Sequence, residues 1–407
     1  MFTHRDEVFV AGGQPTITYV DRASEHIERT FARALATPNQ IVSLSGPTKT
    51  GKTVLSRKVI DSKQYVWIDG GQVKTGAELW AEVAGELNLA CEEVRQETDN
   101  TQLGLDAKIP LIATAKGSKL FQVAVSERRI VSNMSAAIEE MLKRRIVLVI
   151  DDFHYIDKPV RVELMRNIKG AVFNGLKVLL LSVTHRVFDA IKDESELTGR
   201  FTAISLPHWS LDDLRKIPTK GFKALNVSAP DHLLDTLCNE AQENPFLMQK
   251  FCWELCFDLG IERQAIGAAH QVPATFDPAE IFKRIANDAG LPIYQKLAAG
   301  PQSRKVRAKR PLRAGGQVDI YQAILLALAA TGPKAVVPYD ELRGALTSTL
   351  SDMVPQKHEI TAALKHLSKI ARDIGAESAI DWDEDKREVN VADPYLRFFL
   401  KWQSEGL

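Results

Sequence analysis

Short, continuous apolar runs recur through the first half of the chain, separated by stretches with helical spacing. Gln40 to Ser45, Arg145 to Ile150 and Lys177 to Val183 are β-branched or leucine-rich and do not alternate with polar residues. That is the pattern of strands buried on both faces of a parallel sheet. Tyr65 to Ile68 and Thr202 to Leu206 fit the same sheet. Between these runs, Ala23 to Ala36, Gly51 to Ile60, Ala77 to Leu89, Ser126 to Lys143 and Arg161 to Gly170 place apolar residues at helical intervals. Strand and helix in alternation predict a doubly wound α/β domain.

Strand signals stop after about residue 208. Ser210 to Phe222, Pro230 to Ala241 and Pro245 to Leu259 read as amphipathic helices, hence a helical subdomain. Residues 261–313 are poorer in pattern, holding Pro273, Pro278, Pro292, Pro301 and Pro311. From Val318 the order is helix (Ile320 to Ala330), helix (Tyr339 to Leu346), helix (Glu359 to Arg372), then strands Ala379 to Trp382 and Glu388 to Val391 around an acidic turn. Three helices and a hairpin predict a winged helix-turn-helix. The expected division is an α/β core over 1–208, a helical lid and connector over 209–300, a basic linker over 301–317 and a winged-helix-like domain over 318–407.

With 407 residues the chain has room for two or three domains, each with its own core. Its 52 Lys+Arg balance 52 Asp+Glu, so any attraction to nucleic acid has to be local. Cys91, Cys238, Cys252 and Cys256 show neither a CxxC pair nor zinc-ligand spacing and read as reduced, mostly buried thiols. The first residues lack the apolar core of a signal peptide, and the longest apolar runs fall short of the about 20 residues of a membrane span. The expectation is a cytoplasmic protein without membrane contact.

One octet carries explicit chemistry. Gly46-Pro47-Thr48-Lys49-Thr50-Gly51-Lys52-Thr53 matches G-x-x-x-x-G-K-[ST] in full, and chance produces such a match in a chain of this length roughly once in a hundred. A strand runs into it and a helix, starting near Val54, runs out. In this context the glycines let backbone N–H groups turn toward phosphates, the Lys52 ammonium reaches the β/γ oxygens and the Thr53 hydroxyl ligates Mg²⁺. About a hundred residues on, Ile146 to Ile150 ends in Asp151-Asp152, as a Walker B strand delivers its acids. Asp151 is assigned to Mg²⁺ and Asp152 to polarising the attacking water. Thr184, with Ser182 as second choice, ends the next strand where a γ-phosphate sensor belongs, and Arg200 precedes the fifth strand as a candidate finger acting on a neighbouring subunit.

These residues resemble the AAA+ and STAND ATPases, in particular the prokaryotic branch similar to origin-recognition ATPases and the archaeal-type ATPases with a C-terminal winged helix. Tyr19-Val20-Asp21-Arg22, Glu243-Asn244-Pro245-Phe246 and the closing Asp393-Pro394-Tyr395-Leu396-Arg397-Phe398-Phe399-Leu400 carry the resemblance beyond the two Walker elements. It implies ATP with Mg²⁺ as cofactors, adenine rather than guanine, self-association in the ATP state, and a role for Pro245 in shaping the lid near base and ribose. Two departures stand out. Asp152 occupies the place where AAA+ machines commonly carry Glu, which suits slow hydrolysis, and no arginine follows Asn244-Pro245 to act as a lid sensor.

The basic run Arg304, Lys305, Arg307, Lys309, Arg310 and Arg313 contains no acid and no aromatic residue, and is read as extended and mobile. It is a solvated linker, a nucleic-acid contact or an acidic-partner contact. Without it, residues 314–407 carry ten basic and fourteen acidic side chains, net −4. Lys365, Lys369 and Arg372 form one cationic stripe on the third helix, but Asp381, Asp383, Glu384 and Asp385 in the hairpin would repel a phosphate backbone. The favoured reading is therefore an ATP-dependent switch that self-associates and recruits a protein partner, in defence or stress signalling. The alternative is a DNA-binding AAA+ ATPase regulating replication or transposition.

Overall fold

A computed structural model of the protein describes residues 2–22, 26–89, 133–183, 199–302, 306–374 and 379–404. Cys91, Thr184, Arg304 and Lys305 lie outside the described residues. Two compact units emerge: one comprises Arg29–Ser45 and Arg57–Ile204, the other Met1–Glu28, Gly46–Ser56 and Ser205–Leu407. The chain opens with a short helix, α1 (Arg5–Val8).

The first unit is built on five strands, β1 (Ile41–Ser45), β2 (Tyr65–Asp69), β3 (Val147–Asp151), β4 (Lys177–Ser182) and β5 (Phe201–Ser205), in the order β2-β3-β4-β1-β5. The pairings β2 with β3, β3 with β4 and β4 with β1 are parallel. Burial follows position: β1 is buried along its whole length and β3 up to its last residue, whereas the outer strands β2 and β5 are buried only at intervals. That contrast explains why the central strands read as continuous apolar runs. Along the chain, helices α2 (Ile27–Ala36), α3 (Lys52–Val59, its first turn and a half in the other unit), α4 (Gly76–Glu86), α5 (133–144) and α6 (Lys158–Phe173) alternate with the strands. Leu79, Trp80 and Val83 of α4 and Leu164, Met165 and Ile168 of α6 form one core with Leu148, Ile150 and Leu180. The doubly wound α/β expectation holds.

In the second unit, α7 (Leu211–Leu225), α8 (Asp231–Glu240) and α9 (Pro245–Asp258) follow the expected helical order. Asn226 ends α7 with a left-handed backbone, φ 54°, and a bond from its N–H to the Lys223 carbonyl. Two expectations need correction. A two-stranded parallel pair, β6 (Val227–Ser228) with β7 (His270–Gln271), lies beyond residue 208. The region after 261 also holds α10 (Ala279–Ile285), a π turn over Ala286–Gly290, and α11 (Leu291–Ala299). Pro278 stands as the N-cap of α10, where its missing N–H costs nothing, and Pro292 follows the π turn that separates α10 from α11. Ile281, Phe282 and Ile285 thereby enter the core around Phe251, Phe398 and Leu255.

The basic run is not loose. It leads into a hairpin, β8 (Arg310–Pro311) with β9 (Gln317–Val318), turned through Gly315 and Gly316 at φ 98° and 83°. Next come α12 (Ile320–Ala330), β10 (Val336–Pro338), α13 (Tyr339–Thr349), α14 (Lys357–Ile374), β11 (Ile380–Asp383), β12 (Glu388–Val391) and α15 (Pro394–Ser404). Asp319 caps α12 in a capping box with Gln322. The expected hairpin is present, and β10 adds a third antiparallel strand, giving the order β10-β12-β11. At three residues, β10 is too short to show a period.

Among the described residues no helix is long and apolar enough to cross a membrane. Cys238, Cys252 and Cys256 are buried and free. Burial pushes the Cys238 thiol up to about 11 and Cys256 to about 12, and raises Cys252 well above the ordinary thiol range. Alkylation requires the thiolate. Iodoacetamide at pH 8 is therefore expected to leave these three cysteines unmodified in the native protein and to label them once denaturant is added, as read by peptide mass spectrometry.

Candidate functional site

Ser45 ends β1 and the chain passes directly into the octet. Two residues turn it through left-handed backbone, Lys49 at φ 59° and Gly51 at φ 100°. Nothing lies within 4 Å of a Cβ built on Gly51, so its φ and not crowding calls for glycine there. Lys52 opens α3, is 7% exposed, and folds its ammonium back to donate to the carbonyls of Gly46 at 3.1 Å and Pro47 at 3.0 Å. The Thr50 hydroxyl donates to the Pro47 carbonyl at 2.7 Å. The loop thus closes around a buried cation at a helix N-terminus, the electrostatic arrangement that receives an anion.

Side chains far along the sequence fix that shape. Trp209 Nε1 donates to the Thr50 carbonyl at 3.0 Å, and Asn244 Nδ2 to the Thr48 carbonyl at 3.2 Å. Asn244 also caps α9, its Oδ1 accepting from the N–H groups of Phe246 and Leu247. Pro245, the expected lid residue, follows in the first turn of α9. A Cβ at Gly46 would stand 2.9 Å from Leu206 Cβ, so a side chain there would displace the strand-to-loop exit. Arg22 completes the support: its guanidinium donates to the carbonyls of Pro207 and His208 and lies 5.2 Å from the Trp209 ring. The most distant grip is an ion pair, Lys49 Nζ to Asp393 Oδ2 at 2.8 Å. Trp209 and Asp393 were not among the site residues expected from sequence, since nothing local marks a contact across 159 or 344 positions.

The acidic turn belongs to the sheet unit. Asp151, the last residue of β3, stands opposite Asp69 of β2 in register, at the carboxyl edge of the sheet. Asp152 takes a left-handed backbone, φ 51°, donates its N–H to Asp151 Oδ1 at 3.0 Å, and starts a 3₁₀ turn over Phe153–Tyr155. Gly70, just past β2, donates to the Asp151 carbonyl at 2.8 Å, and a Cβ there would sit 2.7 Å from Asp151 O and 2.9 Å from Asp152 O. Gly70 is thus a positioning residue for the turn that sequence reading missed. Ser182 ends β4 opposite Ser45 and is 2% exposed, its Oγ without a hydrogen-bond partner among the described residues. Arg200 is at the amino edge of the same sheet: its carbonyl accepts from Ile41 N–H at 2.8 Å, and its guanidinium lies 4.9 Å from the ring of Phe173, itself 60% exposed.

The cations proposed for nucleic acid divide differently from expectation. Arg307 pairs with Asp319 at 2.8 Å, Arg310 is 6% exposed and pairs with Glu359 at 2.8 Å, and Arg313 donates to the Thr347 carbonyl. Arg307 and Arg310 are thus ion-paired within the fold, which corrects the extended, mobile reading for this part of the run; Arg313 and Lys309 are exposed. On α14, Lys365 pairs with Glu384 at 2.9 Å and Arg372 reaches Asp381 at 3.7 Å, so acids of the hairpin meet the stripe, while Lys369 is exposed.

No protein-family model matches the chain, and no curated protein is detectably similar to it in sequence. Solved structures are similar in fold. A Walker-type ATPase of Pyrococcus abyssi superposes with a TM-score of 0.57 at 16% identity, covering 94% of this chain and 96% of that one. The Aeropyrum pernix ORC2 protein, solved as ADPNP-ADP complexes, gives a TM-score of 0.51 at 13% identity over 99% and 98% of the two chains. Its ADP form gives 0.50 at 12% identity, covering 99% of each. Identities this low show a shared fold alone: the chain shares the fold of these structures along nearly its whole length.

Proposed function

We propose that the protein is an ATP-binding, slowly hydrolysing molecular switch of the AAA+/STAND type that self-associates and recruits a protein partner. The observation that carries the reading is the octet closed around the Lys52 ammonium at the start of α3. Its likeness in fold to a Walker-type ATPase, and to a protein solved with ADPNP and ADP, supports adenine nucleotide as the ligand. Gly46 to Val54 would cradle the phosphates, and Pro245 would shape the nearby lid.

Among the described residues no group of three or more His, Cys, Asp or Glu side chains could hold a metal by itself. A magnesium site completed by nucleotide phosphates needs none, since Mg²⁺ is held by one or two protein oxygens together with phosphate and water. The hydroxyl of Thr53 and the carboxylate of Asp151 are hard oxygen donors of that kind. Magnesium, when bound, neutralises charge on the transferring phosphoryl group. In this reading Asp152 orients the attacking water, Ser182 or Thr184 senses the γ-phosphate, and Arg200 acts on the nucleotide of a neighbouring copy. The amino-edge position of Arg200, beside an exposed phenylalanine, suits a role in trans. Defence or stress signalling is the setting proposed for such a switch.

Internal ion pairing of Arg307 and Arg310 leaves fewer cations for phosphate neutralisation, which favours the switch over the DNA-binding alternative. Light scattering decides between them. With ATP and Mg²⁺ the wild type is expected to assemble without DNA, and Lys52→Ala to stay in its nucleotide-free state. Assembly that requires duplex DNA as well as ATP would instead favour the replication or transposition reading.

A further inference from the structure

Asp393 is the point where the C-terminal helix meets the octet. It is 6% exposed, and its two carboxylate oxygens have separate tasks. Oδ1 accepts from Leu396 N–H at 2.8 Å, capping α15, while Oδ2 holds the Lys49 ammonium at 2.8 Å. That ammonium also lies 4.9 Å from the ring of Tyr395 and 5.4 Å from the ring of Phe246, which meet edge to face at 87°. Lys49 is therefore in an aromatic cage closed by a carboxylate, at a position of the octet with left-handed backbone.

A second cation waits beside the first. Arg397, one turn along α15, donates its backbone N–H to the Asp393 carbonyl at 3.2 Å. Its Nε is buried and makes no hydrogen bond among the described residues. The charges of Asp393 and Glu243 both act on its guanidinium, against a burial that lowers its pKa. Glu243 immediately precedes Asn244, the residue bonded to the Thr48 carbonyl. Burying that Nε without an acceptor costs free energy, which a closer approach to the Asp393 carboxylate would recover. At its far end α15 is anchored independently: Lys401 and Trp402 both bond the Glu240 carboxylate of α8. Motion at Asp393 would therefore stay local to the first turns of the helix.

We propose that the Lys49–Asp393 pair is the closed position of a two-position latch: nucleotide polyphosphate draws Lys49 away, and Asp393 passes to Arg397. The inference rests on nucleotide binding at the octet. Two physical points support the exchange. A polyphosphate offers several anionic oxygens against a single carboxylate, so it competes for an ammonium carried on its own binding loop. Asp393, buried, cannot be left without a counter-charge, and Arg397 supplies one within the same helix. Occupancy of the octet is thereby transmitted to the first turns of α15.

Equilibrium titration with a fluorescent ADP analogue tests this. Asp393→Asn keeps an acceptor for the cap and removes the charge that closes the latch, so the analogue is expected to bind about tenfold tighter. Arg397→Gln removes the partner of the open position and is expected to weaken binding by about tenfold. In the double variant the Arg397 effect should vanish, because Arg397 acts through Asp393. Equal or weaker binding by Asp393→Asn, or an undiminished Arg397 effect in the double variant, overturns the latch while leaving nucleotide binding in place. Failure of the wild type to bind the analogue overturns the nucleotide reading itself, and the latch with it.

Discussion

Lys52→Ala is expected to weaken ATP binding by about 3–4 kcal/mol, roughly 100- to 1,000-fold, through loss of two charge-assisted hydrogen bonds to phosphate oxygens. Two of the ammonium's contacts are the carbonyls of Gly46 and Pro47. Those two acceptors are neutral, and phosphate oxygens are the stronger acceptors for an ammonium. The fold should tolerate the change, since the loop is also held at Thr48 by Asn244 and at Thr50 by Trp209. Titration alongside a thermal melt checks both halves. An unaltered melt with a lost site is expected, and binding within threefold of wild type would remove Lys52 from the phosphate site.

The second large effect is on turnover. Asp152→Asn is expected to reduce ATP hydrolysis by about 10²–10⁴-fold, the usual contribution of a positioned proton acceptor, with affinity for ATP little changed. Asparagine is a clean probe because Asp152 adopts a left-handed backbone, one that asparagine shares readily. The bond from its N–H to Asp151 Oδ1 is made by the main chain and survives the substitution. Phosphate release in single turnover with enzyme in excess measures the loss even where wild-type turnover is slow. Hydrolysis at the wild-type rate in this variant would mean that Asp152 does no chemistry and that the octet serves a nucleotide-binding scaffold.

The sheet was legible because its central strands are buried on both faces. Residues 41–45, 147–150 and 177–182 are apolar without interruption except for serines at 43, 45 and 182 and the lysine that opens the last, and runs this short are too brief for buried helices. The helices after residue 278 were obscured by Pro278, which in fact marks the start of α10, and by Pro292, which follows the π turn. The three-residue strand β10 had no period to read. The octet declared itself through spacing and through the flanking strand and helix alone.

What grips the octet was not legible, because Trp209, Asn244 and Asp393 act across 159 to 344 positions. Two of the three still left a local trace, since Asn244-Pro245 and Asp393-Pro394 are each a capping residue followed by proline at a helix start. The basic run misled for the same reason: the residues that engage Arg310 and Arg313, Glu359 and Thr347, stand 49 and 34 positions away. Charge counted along a sequence shows how many cations a segment has, not how many its own fold has already engaged.

The central claim is that the closed octet is a nucleotide-phosphate site. Isothermal titration of ATP with Mg²⁺ into the full-length protein tests it most directly. Saturable binding of one nucleotide per chain, lost in Lys52→Ala, is the predicted result. Absence of saturable heat up to about 1 mM nucleotide, the upper end of the usual range for such substrates, would contradict it.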